Sequence, residues 1–260
     1  IIHGYWIKQF QLDACYEIED CLPDELAGFV SKIRAGEVLG CNVTIPYKQT
    51  IIPLIDAVDP AAIATGSINT IYQKDGQLRG TSTDGSGYLA HLSSTYPDFD
   101  IADASILILG AGGAARSIMA SIVDAGCLDI RVANRTLQNA QQLCELKPST
   151  CKAIAWSGIQ DIVGNMDLVI NTTSLGQKGH DPLEFPVTQL PERAIVSDIV
   201  YVPLETELLK SARLSGRRTL DGLGMLLHQA VPGFELWFGK RPEVTDKLRQ
   251  LVEADLVKHG

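Results

Sequence analysis

From residue 105 onward, short apolar runs alternate with amphipathic stretches, and this alternation restricts the fold more than any other feature of the chain. Ser105-Ile106-Leu107-Ile108-Leu109 reads as a strand buried on both faces, and Ala114 to Ala125 as the helix that follows it. Ile130–Ala133, Ala153–Ala155, Asp167–Asn171 and Ala194–Val200 continue as strands, with a helix over Thr136–Leu146. Strand and helix in turn, joined by short connections, build a doubly wound parallel sheet.

The chain before position 100 has another style. Leu22-Pro23-Asp24-Glu25 ahead of Leu26, Phe29, Val30 and Ile33 predicts a helix with Pro and acids in its first turn. Asp75-Gly76 between two strand-like runs predicts a two-residue hairpin turn. That register sets Asn69 opposite Ser82 and gathers Asn69, Thr70, Ser82 and Asp84 at the edge far from the turn; a slip of one residue would change which of them share a face. After the polar break Tyr96-Pro97-Asp98-Phe99-Asp100 the regular pattern begins. The expected organisation is two α/β domains. Residues 1–98 form the first, with helices from about 225 to 260 (Met225–Phe238 and Pro242–Val257) packing back on it, and residues 99–224 form a Rossmann-type doubly wound domain.

Composition narrows the function classes. At 260 residues and 45% apolar, the chain can bury two small cores. No apolar run approaches the ~20 residues that span a bilayer. Asp and Glu number 31 against 22 Lys and Arg, for a net charge of −9 with no basic stripe, which argues against a nucleic-acid partner. Cys15, Cys21, Cys41, Cys127, Cys144 and Cys151 show no C-x-x-C spacing and read as reduced thiols of a cytoplasmic protein. The histidines are scattered, so no zinc site is expected. The chain opens Ile1-Ile2-His3, without Met or a signal peptide, and reads as one that has lost its start.

Gly110-Ala111-Gly112-Gly113-Ala114-Ala115 joins the buried strand to its helix as G-x-G-x-x-A. The first glycine permits the tight turn, the second lets backbone approach a pyrophosphate, and the small last residue allows close helix–strand packing. Amides at the helix start then face the anion. At the end of the next strand stand Asn134-Arg135-Thr136 and no acid. An acid there would hold a ribose 2′-hydroxyl, whereas Arg suits a 2′-phosphate, so NADP is the expected cofactor.

Asn42-Val43-Thr44-Ile45-Pro46-Tyr47-Lys48 resembles the N-V-T-x-P-x-K motif of the shikimate dehydrogenase family. Gly66-Ser67-Ile68-Asn69-Thr70 is similar to that family's G-A-x-N-T, and Gly80-Thr81-Ser82-Thr83-Asp84-Gly85 to its G-x-N-T-D-G. The resemblance runs on through Asn134–Thr136, Asn171–Gly176, Asp198–Pro203 and Asp221–Gln229, in order over nearly the whole chain. It implies NADP-linked interconversion of 3-dehydroshikimate and shikimate, in the pathway to chorismate and aromatic amino acids, with Lys48 and Asp84 as the pair at the reacting centre. Thr44, Asn69, Asp84 and Gln229 would hold substrate hydroxyls, with Tyr201 nearby. Gly110, Ala111, Gly112, Gly113, Ala114, Asn134, Arg135 and Thr136 would bind the cofactor, with Ile199 and Gly222 beside the nicotinamide. Two departures stand out. The family's S-x-S segment, whose hydroxyls hold the substrate carboxylate, would precede Ile1, and Ser82 replaces the usual Asn before Thr-Asp.

The residues agree with that chemistry on their own terms. Hydride transfer at a carbon moves a proton on the attached oxygen, which calls for a positioned acid/base. Pro46 suits a first helical turn and would put Lys48 near a helix N-terminus, where the dipole disfavours the ammonium while Asp84 favours it. Asp84 also fits a helix N-cap, alone or together with a role toward substrate. The alternatives are a quinate/shikimate dehydrogenase or related paralogue, and a non-catalytic NADP-binding regulator on the same scaffold. The partner expected is a small molecule, with no nucleic acid and no membrane, in a monomer or homodimer.

Overall fold

The computed structural model describes residues 1–259. Helices α1 (Ile2–Gln9) and α2 (Leu26–Ala35) precede β1 (Gly40–Asn42), α3 (Tyr47–Thr50), β2 (Ala57–Val58), α4 (Pro60–Thr65), β3 (Thr70–Lys74) and β4 (Gln77–Thr81). Helix α5 (Asp84–Thr95) leads to β5 (Ser105–Leu109), α6 (Gly113–Asp124), β6 (Asp129–Asn134), α7 (Leu137–Cys144), β7 (Cys151–Ala155) and α8 (Ile159–Ile162). Then come β8 (Leu168–Asn171), β9 (Ile195–Asp198), α9 (Glu207–Leu214), β10 (Arg218–Leu220), α10 (Gly222–Phe238) and α11 (Asp246–His259).

Ten strands form two sheets among the described residues. The larger runs β10-β9-β8-β5-β6-β7, parallel throughout, so the order reverses between β5 and β8. Each face of its apolar strands packs on helices. Ile106, Ile108, Ile130 and Val132 meet α5, α6 and α7, while Leu107, Leu109, Val169 and Val196 meet α8 and α9. The doubly wound reading holds. Strand β10, three residues long, was not anticipated.

The smaller sheet runs β1-β3-β4-β2. Asp75 and Gly76 both take positive φ, at 53° and 74°, and Lys74 faces Gln77 while Thr70 faces Thr81, the register the Asp-Gly pair predicts. Helix α2 begins at Leu26 rather than with the Pro and acids before it. The Glu25 carboxylate turns back to accept from the Leu22 amide at 3.0 Å, which leaves Pro23 and Asp24 in a preceding turn. Helix α10 packs over this sheet and over α1 and α11, with Trp6, Leu227, Phe234 and Leu248 in the shared core. Its Trp237 donates to the Ile71 carbonyl at 2.8 Å, a structural use of that indole.

Helix α5 lies between the layers and approaches both neighbours closely. A Cβ on Gly85 would stand 2.2 Å from the Ser117 carbonyl of α6, and one on Gly87 would stand 2.6 Å from the Gln229 backbone of α10. The chain passes between the sheets twice, through residues 96–104 and again at Asp221. The two passages are tied side by side: Tyr96 Oη donates to the Thr219 carbonyl at 2.7 Å, and Arg218 pairs with Asp98 at 3.0 Å while lying over the Tyr96 ring.

Because Gly85 meets backbone, no side-chain adjustment can relieve an added methyl. Gly85→Ala is expected to cost about 1–3 kcal/mol by overpacking, read as a lowered midpoint in thermal unfolding; an unchanged midpoint would show that α5 and α6 can separate freely.

Candidate active site

The site assembles where α3, the start of β3, the start of α5 and the middle of α10 converge. Lys48 Nζ donates to Asp84 Oδ2 at 2.8 Å, and both side chains are largely shielded. Asn69, immediately before β3, donates from Nδ2 to Asp84 Oδ1 at 2.7 Å, to Thr83 Oγ1 at 3.0 Å and to Gln229 Oε1 at 3.3 Å. Its Oδ1 accepts from Thr70 Oγ1 and from the Thr83 amide, so Asn69 is held on both sides. These groups open onto a cavity of about 300 Å³ whose wall also includes Thr44.

Both carboxylate oxygens of Asp84 are committed to this network. Asp84 is the first residue of α5, preceded by Thr83, and makes no capping bond; the N-cap alternative does not apply. Helix α3 is only four residues long, with Pro46 just before it, so the dipole expected to act on Lys48 is that of a single turn. Ser82 Oγ is buried without a hydrogen-bond partner, and the loop is secured instead through Asn69.

Three polar lining residues escaped the sequence reading. Asn42 donates to the Asn69 carbonyl and to Thr70 Oγ1, each at 3.2 Å, and its Oδ1 accepts from Tyr16 Oη at 2.8 Å. His3 Nε2 lies 3.1 Å from the same oxygen. Burial lowers the His3 pKa to about 4, so the imidazole is neutral at pH 7 with its proton on Nε2. Asn42 stands in the N-V-T motif and was open to recognition. His3 and Tyr16 carried no local pattern. Tyr201 is not brought into this cavity; it lines a separate one of about 660 Å³ with Pro203, Leu204 and Leu256.

The glycine turn has the geometry that a pyrophosphate needs. Gly110 takes φ +107°, and a Cβ there would meet Thr172 Oγ1 at 2.5 Å. Around Gly112 and Gly113 nothing lies within 4 Å of a Cβ position, which leaves the amides at the start of α6 open to an anion. Ala115 is fully buried beneath the turn. At the end of β6, Asn134 Nδ2 donates to the Thr136 carbonyl at 2.9 Å, Thr136 precedes α7, and Arg135 is exposed. Ile199 and Gly222 are in contact: a Cβ on Gly222 would stand 2.2 Å from the Ile199 carbonyl oxygen. The residues present fit a dinucleotide.

A glycine turn at the point where strand order reverses, set beside a smaller α/β layer with a polar cavity, defines a two-domain dinucleotide-dependent oxidoreductase. Comparisons with known proteins agree. Residues 1–71 match the model of the shikimate dehydrogenase substrate binding domain, 92–178 that of shikimate / quinate 5-dehydrogenase, and 222–253 that of the shikimate 5'-dehydrogenase C-terminal domain. The shikimate dehydrogenase (NADP(+)) of Rhodopseudomonas palustris is 46% identical over 98% of this chain and 91% of its own. Among solved structures, shikimate 5-dehydrogenase from Thermus thermophilus, in complex with NADP(H) and shikimate, is 29% identical with a TM-score of 0.84, over 98% of this chain and 93% of that one. Quinate dehydrogenase from Corynebacterium glutamicum, in complex with NAD, is 30% identical with a TM-score of 0.88, over 97% and 93%. The chain belongs to the shikimate dehydrogenase family.

One buried carboxylate lies outside the Lys48 network. Asp198, at the end of β9, is fully buried, and burial pushes its pKa up to about 6 against the hydrogen bonds from Thr206, Val200 and Asn171. A native pKa above the unfolded one means that the native state binds the proton more tightly. This stabilisation is complete below about pH 4 and is lost as pH rises through 6. The stability of Asp198→Asn relative to the parent is therefore expected to rise between pH 4 and 7, by about 3 kcal/mol at most, and then to level off. Urea unfolding of both proteins across that range is the measurement; a difference independent of pH would refute it.

Proposed function

We propose that the chain catalyses the reversible, NADP-dependent reduction of 3-dehydroshikimate to shikimate in aromatic amino acid biosynthesis, and that it works in the cytoplasm. The observation that carries the reading is the Lys48–Asp84 pair, 2.8 Å apart and braced by Asn69 and Gln229 in one cavity. Six cysteines without a disulfide support the compartment, and no described helix is long and apolar enough to cross a membrane.

NADP, when bound, supplies the hydride acceptor or donor. Gly110 to Ala114 would bind its pyrophosphate, Asn134, Arg135 and Thr136 its adenosine end, and Ile199 with Gly222 the nicotinamide side. Thr44, Asn69, Asp84 and Gln229 would orient the substrate hydroxyls. In the direction of oxidation Lys48, as the neutral amine, would accept the hydroxyl proton as the carbon–hydrogen bond gives up its hydride and become the ammonium; in reduction that ammonium would return the proton to the forming alkoxide. Asp84 holds the Lys48 ammonium in line and accepts from a substrate hydroxyl. An acid/base pair has no purpose in a non-catalytic regulator, and Arg135 in place of an acid favours NADP over NAD.

The protein is expected to reduce NADP with shikimate and to turn over quinate far more slowly. Lys48→Ala is expected to lower kcat by about 10²–10⁴-fold; a mutant that kept kcat and raised only KM would make Lys48 a binding residue. Arg135→Ala is expected to lower the ratio of activity with NADP to that with NAD, and an unchanged ratio would remove Arg135 from cofactor selection.

A further inference from the structure

Asp198 is a buried ionisable group that the proposed chemistry does not use, and its neighbours give it a definite place. Its Oδ1 accepts from Asn171 Nδ2 and from the Val200 amide, both at 3.0 Å, and its Oδ2 accepts from Thr206 Oγ1 at 2.7 Å. Each donor belongs to a different part of the C-terminal edge of the large sheet. Asn171 ends β8 and lies directly across from Asp198 in the sheet register. Val200 follows Ile199. Thr206 caps the start of α9 and accepts from the Leu209 amide.

The connection reaches the glycine turn. Asn171 Oδ1 accepts from the Thr173 amide and hydroxyl at 3.0 and 2.7 Å, and its Nδ2 also donates to the Leu175 carbonyl. Thr172, between them, donates from both its amide and its hydroxyl to the Leu109 carbonyl, and stands where a Cβ on Gly110 would be. Hydrogen bonds, joined through the Asn171–Thr173 backbone, therefore link Leu109, the residue just before the turn that would bind the pyrophosphate, to the backbone that would face the nicotinamide. The Ile199 amide also donates to the Asn171 carbonyl at 3.1 Å, and the Asp198 carboxylate adds the side-chain tie and the anchor of the Val200 amide.

We infer that Asp198 is a positioning residue for the cofactor: its carboxylate helps set the Ile199–Val200 backbone at a fixed reach from the glycine turn, so that the pyrophosphate and the nicotinamide of one dinucleotide are met at once. This rests on the reading of the turn and of Ile199 as cofactor contacts. A three-way acceptor suits the task because all three donors are shielded from water, and removing the acceptor leaves them unpaired and free to seek other geometry. Asparagine at 198 keeps one oxygen for Asn171 and Val200, and its amide can donate to Thr206.

The test compares Asp198→Ala, Asp198→Asn and Thr206→Val with the parent, measuring the Kd for NADP by titration calorimetry without substrate and KM for NADP and for shikimate in turnover. Asp198→Ala is expected to raise Kd and KM for NADP about ten-fold and to leave KM for shikimate within about two-fold. Asp198→Asn is expected to restore NADP binding to within about three-fold of the parent, and Thr206→Val to show a smaller rise than Asp198→Ala. Should Asp198→Ala not fold, Thr206→Val and Asp198→Asn carry the comparison. A lowered unfolding midpoint with NADP binding unchanged in the folded variants would make the carboxylate merely structural and overturn the inference. A rise in both Michaelis constants together would overturn it as well. Parent protein that failed to bind NADP at all would overturn the dinucleotide reading beneath it, an outcome distinguishable from the others because it needs no mutant.

Discussion

The first turn of α5 is the constraint on which the rest depends. Asp84 opens that helix and meets Lys48 and Asn69, while Gly85 and Gly87, one and three residues on, lie against the backbones of α6 and α10. A side chain at either glycine would force apart the helices that carry the glycine turn and Gln229. The carboxylate, the cofactor-side helix and the helix holding Gln229 are thus located relative to one another by contacts with almost no tolerance. Interiors packed this closely transmit small displacements rather than absorb them.

Much of the architecture was legible because it is written in local terms. Strands buried on both faces leave continuous apolar runs, and a two-residue Asp-Gly turn fixes its own register, so the larger sheet and the position of Asn69 follow from adjacent residues. The short strands β1, β2 and β10 were not legible, because two or three residues are too few for a period and their pairing depends on distant partners. The start of α2 was misjudged for a related reason: Pro and acids suit a first helical turn, but the Glu25 carboxylate found the Leu22 amide instead.

The site was legible in its motif residues and not in its surroundings. Thr44, Lys48, Asn69, Asp84 and Gln229 share one cavity. His3 and Tyr16 join it through Asn42, a contact spanning 39 and 26 residues that no local spacing announces. Asp198 illustrates the same limit, since an aspartate at the end of a strand is unremarkable until three donors from separate segments are found around it. His91, buried near Asp221 and Arg249, is another: burial lowers its pKa to about 4, and nothing in its own segment marks it as shielded.

The paired passages between the sheets have a mechanical consequence. Two covalent connections would ordinarily brace two layers at separate points and hold them rigidly. Here Tyr96, Asp98, Arg218 and Thr219 bind the connections into one strip, so they act as a single line of attachment. Sliding one layer along the other, or pulling the two apart, would stretch both connections at once. Rotation about the strip stretches neither. What stops that rotation is the contact of Gly85 with the Ser117 carbonyl, which pins the start of α5, and Asp84 with it, to the helix that follows the glycine turn.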